Sequence, residues 1–168
     1  MLNEMCSKVK LIVSEVDGII TEGLSPIDNM GNTLFKLYYM RDFEVINLLK
    51  KDYIFVFLSS DNNVSYNYMR SKNLPFFWAK DDKKHALMDI MKRYRVSPEE
   101  VIYIGSLFSD IECMNMVPLS FCPNDSAPPL QRIISSRKEL YDGVLNVFGG
   151  GGVIGEIYDV LSRLRFNK

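Results

Sequence analysis

Polar side chains follow three apolar segments of this chain, at the points where those segments end. The six residues are Glu15 and Asp17, Ser59 and Ser60, and Ser106 and Asp110. Each apolar segment is short and rich in β-branched residues, which predicts a buried strand. In open α/β sheets, ligands bind just outside the carboxyl ends of the strands. Carboxylates at that edge are placed to bind a metal ion or to act as acids and bases, so we expect a ligand site there.

The elements that position these residues alternate between strand and helix. The predicted strands are Val9–Val13, Ile54–Leu58, Leu74–Trp78, Val101–Ile104 and Leu119–Cys122. The predicted helices are Arg41–Lys51, Asn62–Lys72, Asp82–Tyr94 capped by Asp81, Asp110–Met116, a short helix near Leu130, and Val153–Leu164. This order predicts an α/β fold, with one parallel sheet covered by helices on both faces. At 168 residues, the chain is expected to form a single domain, residues 1–168.

A hairpin is predicted between the first strand and the first long helix. Leu24–Ile27 and Thr33–Tyr39 are its expected strands, and Asp28–Asn32 supplies the Asn and Gly that a tight turn needs. A plain βαβ repeat has no hairpin between its strand and its helix. We therefore expect residues 24–39 to form a flap or an assembly element.

Composition excludes several classes of function. The net charge of −1 offers no basic field for nucleic acid or for an anionic membrane, and no run of about 18 apolar residues is present. Cys6, Cys113 and Cys122 are scattered without a C-x-x-C pair, which favours reduced thiols over disulfides or a zinc site. His85 is the only histidine, which disfavours histidine-based catalytic triads and histidine-rich metal sites. We expect a cytoplasmic protein with no nucleic-acid or membrane partner.

Five segments in a consistent order resemble the haloacid dehalogenase superfamily. They are VKLIVSEVDGIITEG from Val9, MRDFEVINLLKK from Met40, DDKKHAL from Asp81, VIYIGSLFSDIECM from Val101, and the glycine run Gly149–Gly152. The resemblance is to the cap-less 3-deoxy-D-manno-octulosonate 8-phosphate phosphatases and to the related C-terminal domain of animal CMP-sialic acid synthetases. It covers residues 9–165 approximately, and implies a Rossmann-like fold without a cap domain.

The resemblance implies a role for each polar residue. In the phosphatases, the first motif reads D-x-D-G, where the first Asp attacks phosphorus and the second is the general acid and base. Glu15 stands at the nucleophile position, and Asp17 at that of the acid and base. Ser59 matches the hydroxyl that binds a phosphoryl oxygen, and Lys83 matches the lysine that offsets phosphate charge. The extra methylene of Glu15 displaces the carboxylate, and a displacement of about 1 Å can cost on the order of 100-fold in rate.

The implied metal is magnesium, with Glu15, Asp17, Ser106 and Asp110 as its ligand positions. The family motif G-D-D-x-x-D is here Gly105-Ser106-Leu107-Phe108-Ser109-Asp110. A neutral serine in place of a carboxylate should weaken magnesium binding or abolish it. Asp110 is also expected to serve as a cap of the following helix.

The implied substrate site includes Ser60, Gly150 and Gly152. The family's glycine-rich segment carries arginines that reach a neighbouring subunit, and this chain has glycine in their place. Backbone amides at the start of the last helix are still expected to hold an anion. The resemblance further implies a homo-tetramer assembled through the hairpins.

Three hypotheses follow from the sequence. The first is a phosphatase-like protein, or pseudoenzyme, that acts through oligomerisation or ligand binding. The second is an active magnesium-dependent phosphatase that acts on a phosphorylated sugar acid of the octulosonate or sialic acid type, with Glu15 as its nucleophile. The third is a receiver-like module, which the hairpin and the glycine run do not favour.

Overall fold

The chain folds around a five-stranded parallel sheet. The computed structural model describes residues 2–61 and 64–166. The strands are β1 (Leu11–Ser14), β2 (Ile54–Ser59), β3 (Phe76–Trp78), β4 (Val101–Ile104) and β5 (Leu119–Phe121). They lie in the order β3-β2-β1-β4-β5, with β1 at the centre. The central strand places Leu11 opposite Ile54 on one side and opposite Val101 on the other, so the carboxyl ends of β1, β2 and β4 share one edge.

Helices cover both faces of the sheet. They are α1 (Leu2–Lys8), α2 (Met40–Leu49), α3 (Val64–Ser71), α4 (Lys83–Tyr94), α5 (Ile111–Met116), α6 (Pro128–Ser135) and α7 (Val153–Phe166), with 3-10 turns at Pro98–Glu100 and Phe108–Asp110. Apolar residues of α1, α2, α3 and α7 pack on one face, where Ile12 of β1 points. Those of α4, α5 and α6 pack on the other face, against Leu11 and Val13. This alternation along β1 gives each face its own core and confirms the predicted α/β fold.

The boundaries of several helices differ from the prediction. Helix α1 was not predicted, and it buries Cys6 against the sheet. Asp82, and not Asp81, caps α4, because the Asp82 carboxylate accepts the His85 N–H at 2.8 Å. The predicted start of α3, at Asn62, lies outside the described residues.

The two predicted strands of the flap are reduced to a single antiparallel bridge. We use the name flap for residues 24–39. Ile27 pairs with Thr33, and the Asp28 carboxylate accepts the N–H groups of Met30 and Asn32 to close the turn. The flap forms no other pairing as part of a sheet in the described chain, and an isolated two-stranded ribbon is marginal in water. Its backbone therefore stays irregular while the turn itself forms as predicted.

No helix in residues 2–61 and 64–166 combines the length and the apolar character needed to cross a membrane.

Candidate functional site

The polar residues that follow β1, β2 and β4 meet at the carboxyl edge of the sheet. Glu15 comes directly after β1, and Ser59 is the last residue of β2. Lys83 is the first residue of α4, and Asp110 ends the 3-10 turn after β4. The side chains of Glu15, Lys83 and Asp110 are in contact, and the Ser59 side chain interacts with the Glu15 carboxylate and lowers its pKa. The structure thus brings together four residues that are far apart in the sequence.

Both oxygens of the Glu15 carboxylate are engaged. Oε1 accepts the Val16 N–H at 2.8 Å, and Oε2 is bonded to the Nζ of Lys83. The same Nζ lies 2.8 Å from Oδ1 of Asp110. The three charged side chains are at most 2% exposed, so Lys83 is a buried cation shared by two carboxylates.

Burial and the neighbouring charges shift the pKa values of Glu15 and Lys83. Burial raises the pKa of the Glu15 carboxyl; the ammonium of Lys83 opposes this shift, and the charge of Asp110 adds to it. Burial lowers the pKa of Lys83, but Asp110 and Glu15 outweigh burial, and the net shift is upward. Lys83 therefore keeps its charge, and Glu15 holds a proton more readily than an exposed glutamate does.

Asp110 organises the loop after β4. Its Oδ2 accepts the N–H groups of Ser106 and Leu107 at 3.0 and 2.9 Å, and its Oδ1 accepts the Tyr103 hydroxyl at 2.7 Å. Its oxygens are thus turned towards the loop, Tyr103 and Lys83. Sequence reasoning missed Tyr103, because a tyrosine within an apolar strand resembles any other core residue.

Asp17 lies in a second ion-pair cluster with Lys36 and Asp61. The Nζ of Lys36 is 2.9 and 2.7 Å from the two Asp17 carboxylate oxygens, and it also contacts Oδ2 of Asp61. The Thr21 hydroxyl adds a bond of 3.2 Å to Asp17. Lys36 and Asp61 were not predicted as site residues. The available signal was a lysine set among apolar residues of the flap.

Ser106 closes the space between the loops after β1 and β4. Its hydroxyl donates to the main-chain oxygen of Asp17 at 2.8 Å. Gly18, with φ of +75°, makes this approach possible, because a Cβ on Gly18 would lie 2.3 Å from the Ser106 Oγ. The loop geometry therefore depends on glycine at position 18.

The residues predicted to bind substrate have structural contacts here. The main-chain oxygen of Ser60 accepts the Trp78 indole N–H at 3.0 Å, and the Gly150 N–H donates to the Ile19 oxygen at 2.8 Å. Gly152 immediately precedes α7. The carboxylate of Asp42, which is 1% exposed, lies at the start of α7 and accepts the Gly155 N–H at 3.3 Å. A role of Ser60, Gly150 and Gly152 in substrate binding stays a prediction.

The predicted metal ligands do not fit a magnesium ion in this arrangement. Within the described chain, carboxylates, thiols and imidazoles do not gather in groups of three or more around a point where a metal could bind. The oxygens of Glu15 and Asp110 are bonded to Lys83 and to N–H or O–H donors, and the Asp17 carboxylate faces Lys36. The Asp17 main-chain oxygen accepts the Ser106 hydroxyl. Lysine ammonium groups therefore occupy the positions in which carboxylate oxygens would meet a cation.

Comparisons with known proteins identify relatives along nearly the whole chain. No family model matches it. The chain is 28% identical over 163 residues to the 3-deoxy-D-manno-octulosonate 8-phosphate phosphatase KdsC of Haemophilus influenzae, across 95% of this chain and 86% of that protein. It is 26% identical over 156 residues to KdsC of Escherichia coli K12, across 91% of this chain and 79% of that protein.

Solved structures show the same architecture. The cobalt-bound phosphatase of H. influenzae superposes with a TM-score of 0.84 at 25% identity, across 96% of this chain and 92% of that one. The phosphatase of Moraxella catarrhalis, solved with magnesium, phosphate and KDO, superposes with a TM-score of 0.83 at 19% identity, across 99% and 92% of the two chains. At that level of identity, the second comparison concerns the fold alone.

The parallel sheet, the flap after β1 and the polar residues at the carboxyl edge define a Rossmann-like α/β protein of the haloacid dehalogenase type. Its homologues are KdsC phosphatases of the haloacid dehalogenase superfamily, and its fold is consistent with their cap-less branch. The likeness to the tail of the CMP-sialic acid synthetases stays a prediction.

Proposed function

We propose that this chain is a phosphatase-family protein with strongly reduced hydrolytic activity, and that it acts by assembling with further copies through its flap. The observation that carries the proposal is the engagement of both Glu15 oxygens, by the Val16 N–H and by Lys83. In-line attack on phosphorus needs a carboxylate oxygen that faces the substrate. At Glu15, such an attack requires an ion pair to break first.

The charge at the carboxyl edge also argues against phosphate-ester hydrolysis. Lys36 pairs with Asp17 and Asp61, and Lys83 pairs with Glu15 and Asp110. When all six groups are ionised, the two clusters together have a net negative charge. A phosphate dianion is repelled by such a field unless a further cation accompanies it.

Assembly is supported by the apolar surface of the flap. Its exposed apolar residues are Leu24, Ile27, Met30, Leu34, Phe35 and Leu37, each at least half exposed. A cavity of about 400 Å³ lies beside the flap and is lined by Leu24, Phe35, Leu37 and Tyr39. Contiguous apolar surface of this kind marks a contact with another protein surface. The family resemblance makes a homo-tetramer the expected assembly.

The second candidate is an active magnesium-dependent phosphatase that acts on a phosphorylated sugar acid. Its support is the activity of the relatives and the position of Ser59 and Lys83 beside Glu15. In that case, binding of substrate and magnesium must rearrange the Lys83 and Lys36 ion pairs.

Phosphatase assays with magnesium separate the two candidates. The substrates are 3-deoxy-D-manno-octulosonate 8-phosphate and p-nitrophenyl phosphate, and KdsC of H. influenzae is the positive control. We expect kcat/KM for this chain to be lower than that of KdsC by roughly 100-fold or more. The double variant Glu15→Asp/Ser106→Asp restores both family carboxylates and should raise activity above that of the natural chain.

The matched control is Glu22→Asp/Ser109→Asp. It makes the same two types of substitution as the restoring variant, but at exposed residues. It should leave the activity unchanged. Turnover by the natural chain at about 1–10³ per second, abolished by Asp17→Asn, would establish the second candidate and overturn the first.

A further inference from the structure

Lys36 is a buried cation that projects from the flap into the carboxyl edge of the sheet. Its neighbours in sequence, Phe35 and Leu37, are 51% and 77% exposed, whereas the Lys36 side chain is 1% exposed. The Lys36 side chain thus turns inward between two exposed neighbours. In the part of the flap that the structure describes, Lys36 is the side chain that bonds to Asp17 and Asp61.

The ammonium of Lys36 joins two loops that follow different strands. It bonds to both carboxylate oxygens of Asp17, after β1, and to one oxygen of Asp61, after β2. An ammonium group has three N–H donors, and these three contacts account for all of them. Burial lowers the pKa of Lys36, but its bonds to the two carboxylates outweigh burial and raise it overall. The group therefore stays charged where it is.

Without this cation, Asp17 and Asp61 would face each other across the same space. Two carboxylates at such a short distance, both largely shielded from solvent, repel each other unless a proton or a cation lies between them. A free metal ion is one such cation, and a lysine fixed to the chain is another. At the Asp17 carboxylate, the Lys36 ammonium already occupies the position that a metal ion would need.

We propose that Lys36 is a tethered cation that replaces a mobile counter-ion between Asp17 and Asp61 and thereby holds the flap against the site. Lys36 is a positioning residue in this role, since it acts through the two carboxylates. A dissolved cation reaches the Asp17 carboxylate only when Lys36 withdraws from it. The inference concerns cation binding and stability, so it is tested by unfolding and by calorimetry and not by hydrolytic activity.

The test compares Lys36→Met, Lys36→Arg and the exposed control Lys51→Met in thermal unfolding, with EDTA and with millimolar MgCl2. In EDTA, Lys36→Met should lower the unfolding midpoint by roughly 5–10 °C, and Lys36→Arg by less than half of that loss. Magnesium should raise the midpoint of Lys36→Met by a few degrees and leave the natural chain and Lys51→Met unchanged. Isothermal titration with MgCl2 should give binding heat for Lys36→Met alone.

A double variant separates charge compensation from simple packing. Lys36→Met/Asp61→Asn lacks the repulsion between the two carboxylates, so it should recover at least half of the lost midpoint in EDTA and should not respond to magnesium. This variant also covers the case in which Lys36→Met alone does not fold. The proposal is overturned if the double variant is as unstable as Lys36→Met, or if the natural chain responds to magnesium as strongly as Lys36→Met does.

Discussion

Lys83 lies between two buried carboxylates, and its charge decides how the centre of the site responds to substitution. Its Nζ bonds to Glu15 and Asp110, and none of the three side chains is more than 2% exposed. Replacing both partners of a buried ion pair often costs little stability, whereas removing one partner leaves an unpaired charge in the protein interior, which solvates it poorly. Lys83, which was predicted to bind phosphate, is thus a structural counter-ion in this chain.

We expect Lys83→Met to lower the free energy of unfolding by about 3–5 kcal/mol, as measured by urea denaturation at neutral pH. Its neighbour Lys84 is a matched control, because that lysine is 47% exposed and contacts Glu112 at 3.4 Å on the surface. Lys84→Met should change the free energy of unfolding by no more than about 0.5 kcal/mol. Equal losses in the two variants would mean that the buried cluster has no special role in stability.

At the scale of elements, the start of α7 depends on a carboxylate from α2. Asp42 is 1% exposed, its Oδ1 accepts the Gly155 N–H, and its Oδ2 is buried without a hydrogen-bond partner in the described structure. Burial raises the pKa of Asp42 to about 7, and the N–H groups of Gly155 and Ile154 oppose the shift. The contact between α2 and α7 therefore titrates near neutral pH.

The sign of this effect follows from the raised pKa. In the unfolded chain, the pKa of Asp42 is 3.8, so the folded state holds the proton more tightly. That contribution to stability is complete below pH 3.8 and is lost as the pH rises through about 7. Between pH 6 and pH 8, the free energy of unfolding should fall by roughly 1 kcal/mol on account of Asp42.

Asp42→Asn should remove this part of the pH dependence, as measured by urea denaturation at pH 6 and pH 8. A residual slope of the same sign is expected from Glu15, whose pKa is also raised. The exposed Asp142 provides the control, since Asp142→Asn should keep the slope of the natural chain. An unchanged slope in Asp42→Asn would contradict the burial of its charge.

At the scale of the whole molecule, the flap is apolar on its outer side and ionic on its inner side. Leu34 and Leu37 are 59% and 77% exposed, whereas Lys36 between them reaches Asp17. Tyr38 anchors the same segment by stacking on Tyr68, and the two ring centroids are 4.6 Å apart. The exposed apolar surface is thus carried by the same segment that contacts the site carboxylates.

We expect the natural chain to form a homo-oligomer at micromolar concentration and Leu34→Asp/Leu37→Asp to shift it towards monomer, as measured by light scattering. The added charges would be buried without partners in a contact between flaps. Met88→Asp is the control, because Met88 is 48% exposed on α4, away from the flap. A monomeric natural chain would overturn the assembly proposal.

Much of the architecture was determined by the sequence alone. The apolar segments before Glu15, Ser59 and Ser106 are strands, and their order with the helices predicts the parallel sheet. A parallel sheet then requires the ends of those strands to share an edge, which is why Glu15, Ser59 and Asp110 could be predicted as neighbours. Lys83 was predicted from the family resemblance. Local pattern and connection rules are sufficient for these conclusions.

The tertiary structure decided which groups each polar side chain of the site contacts. Lys36 lies 19 residues from Asp17, and no local pattern indicates that its ammonium rather than a metal meets that carboxylate. Tyr103 and Asp42 resemble ordinary strand and helix residues until packing buries their polar groups against Asp110 and α7. Electrostatic pairing depends on distances of a few ångströms between segments that are remote in sequence. For that reason, the position of the site follows from the sequence, and the pairing of its charges follows from the fold.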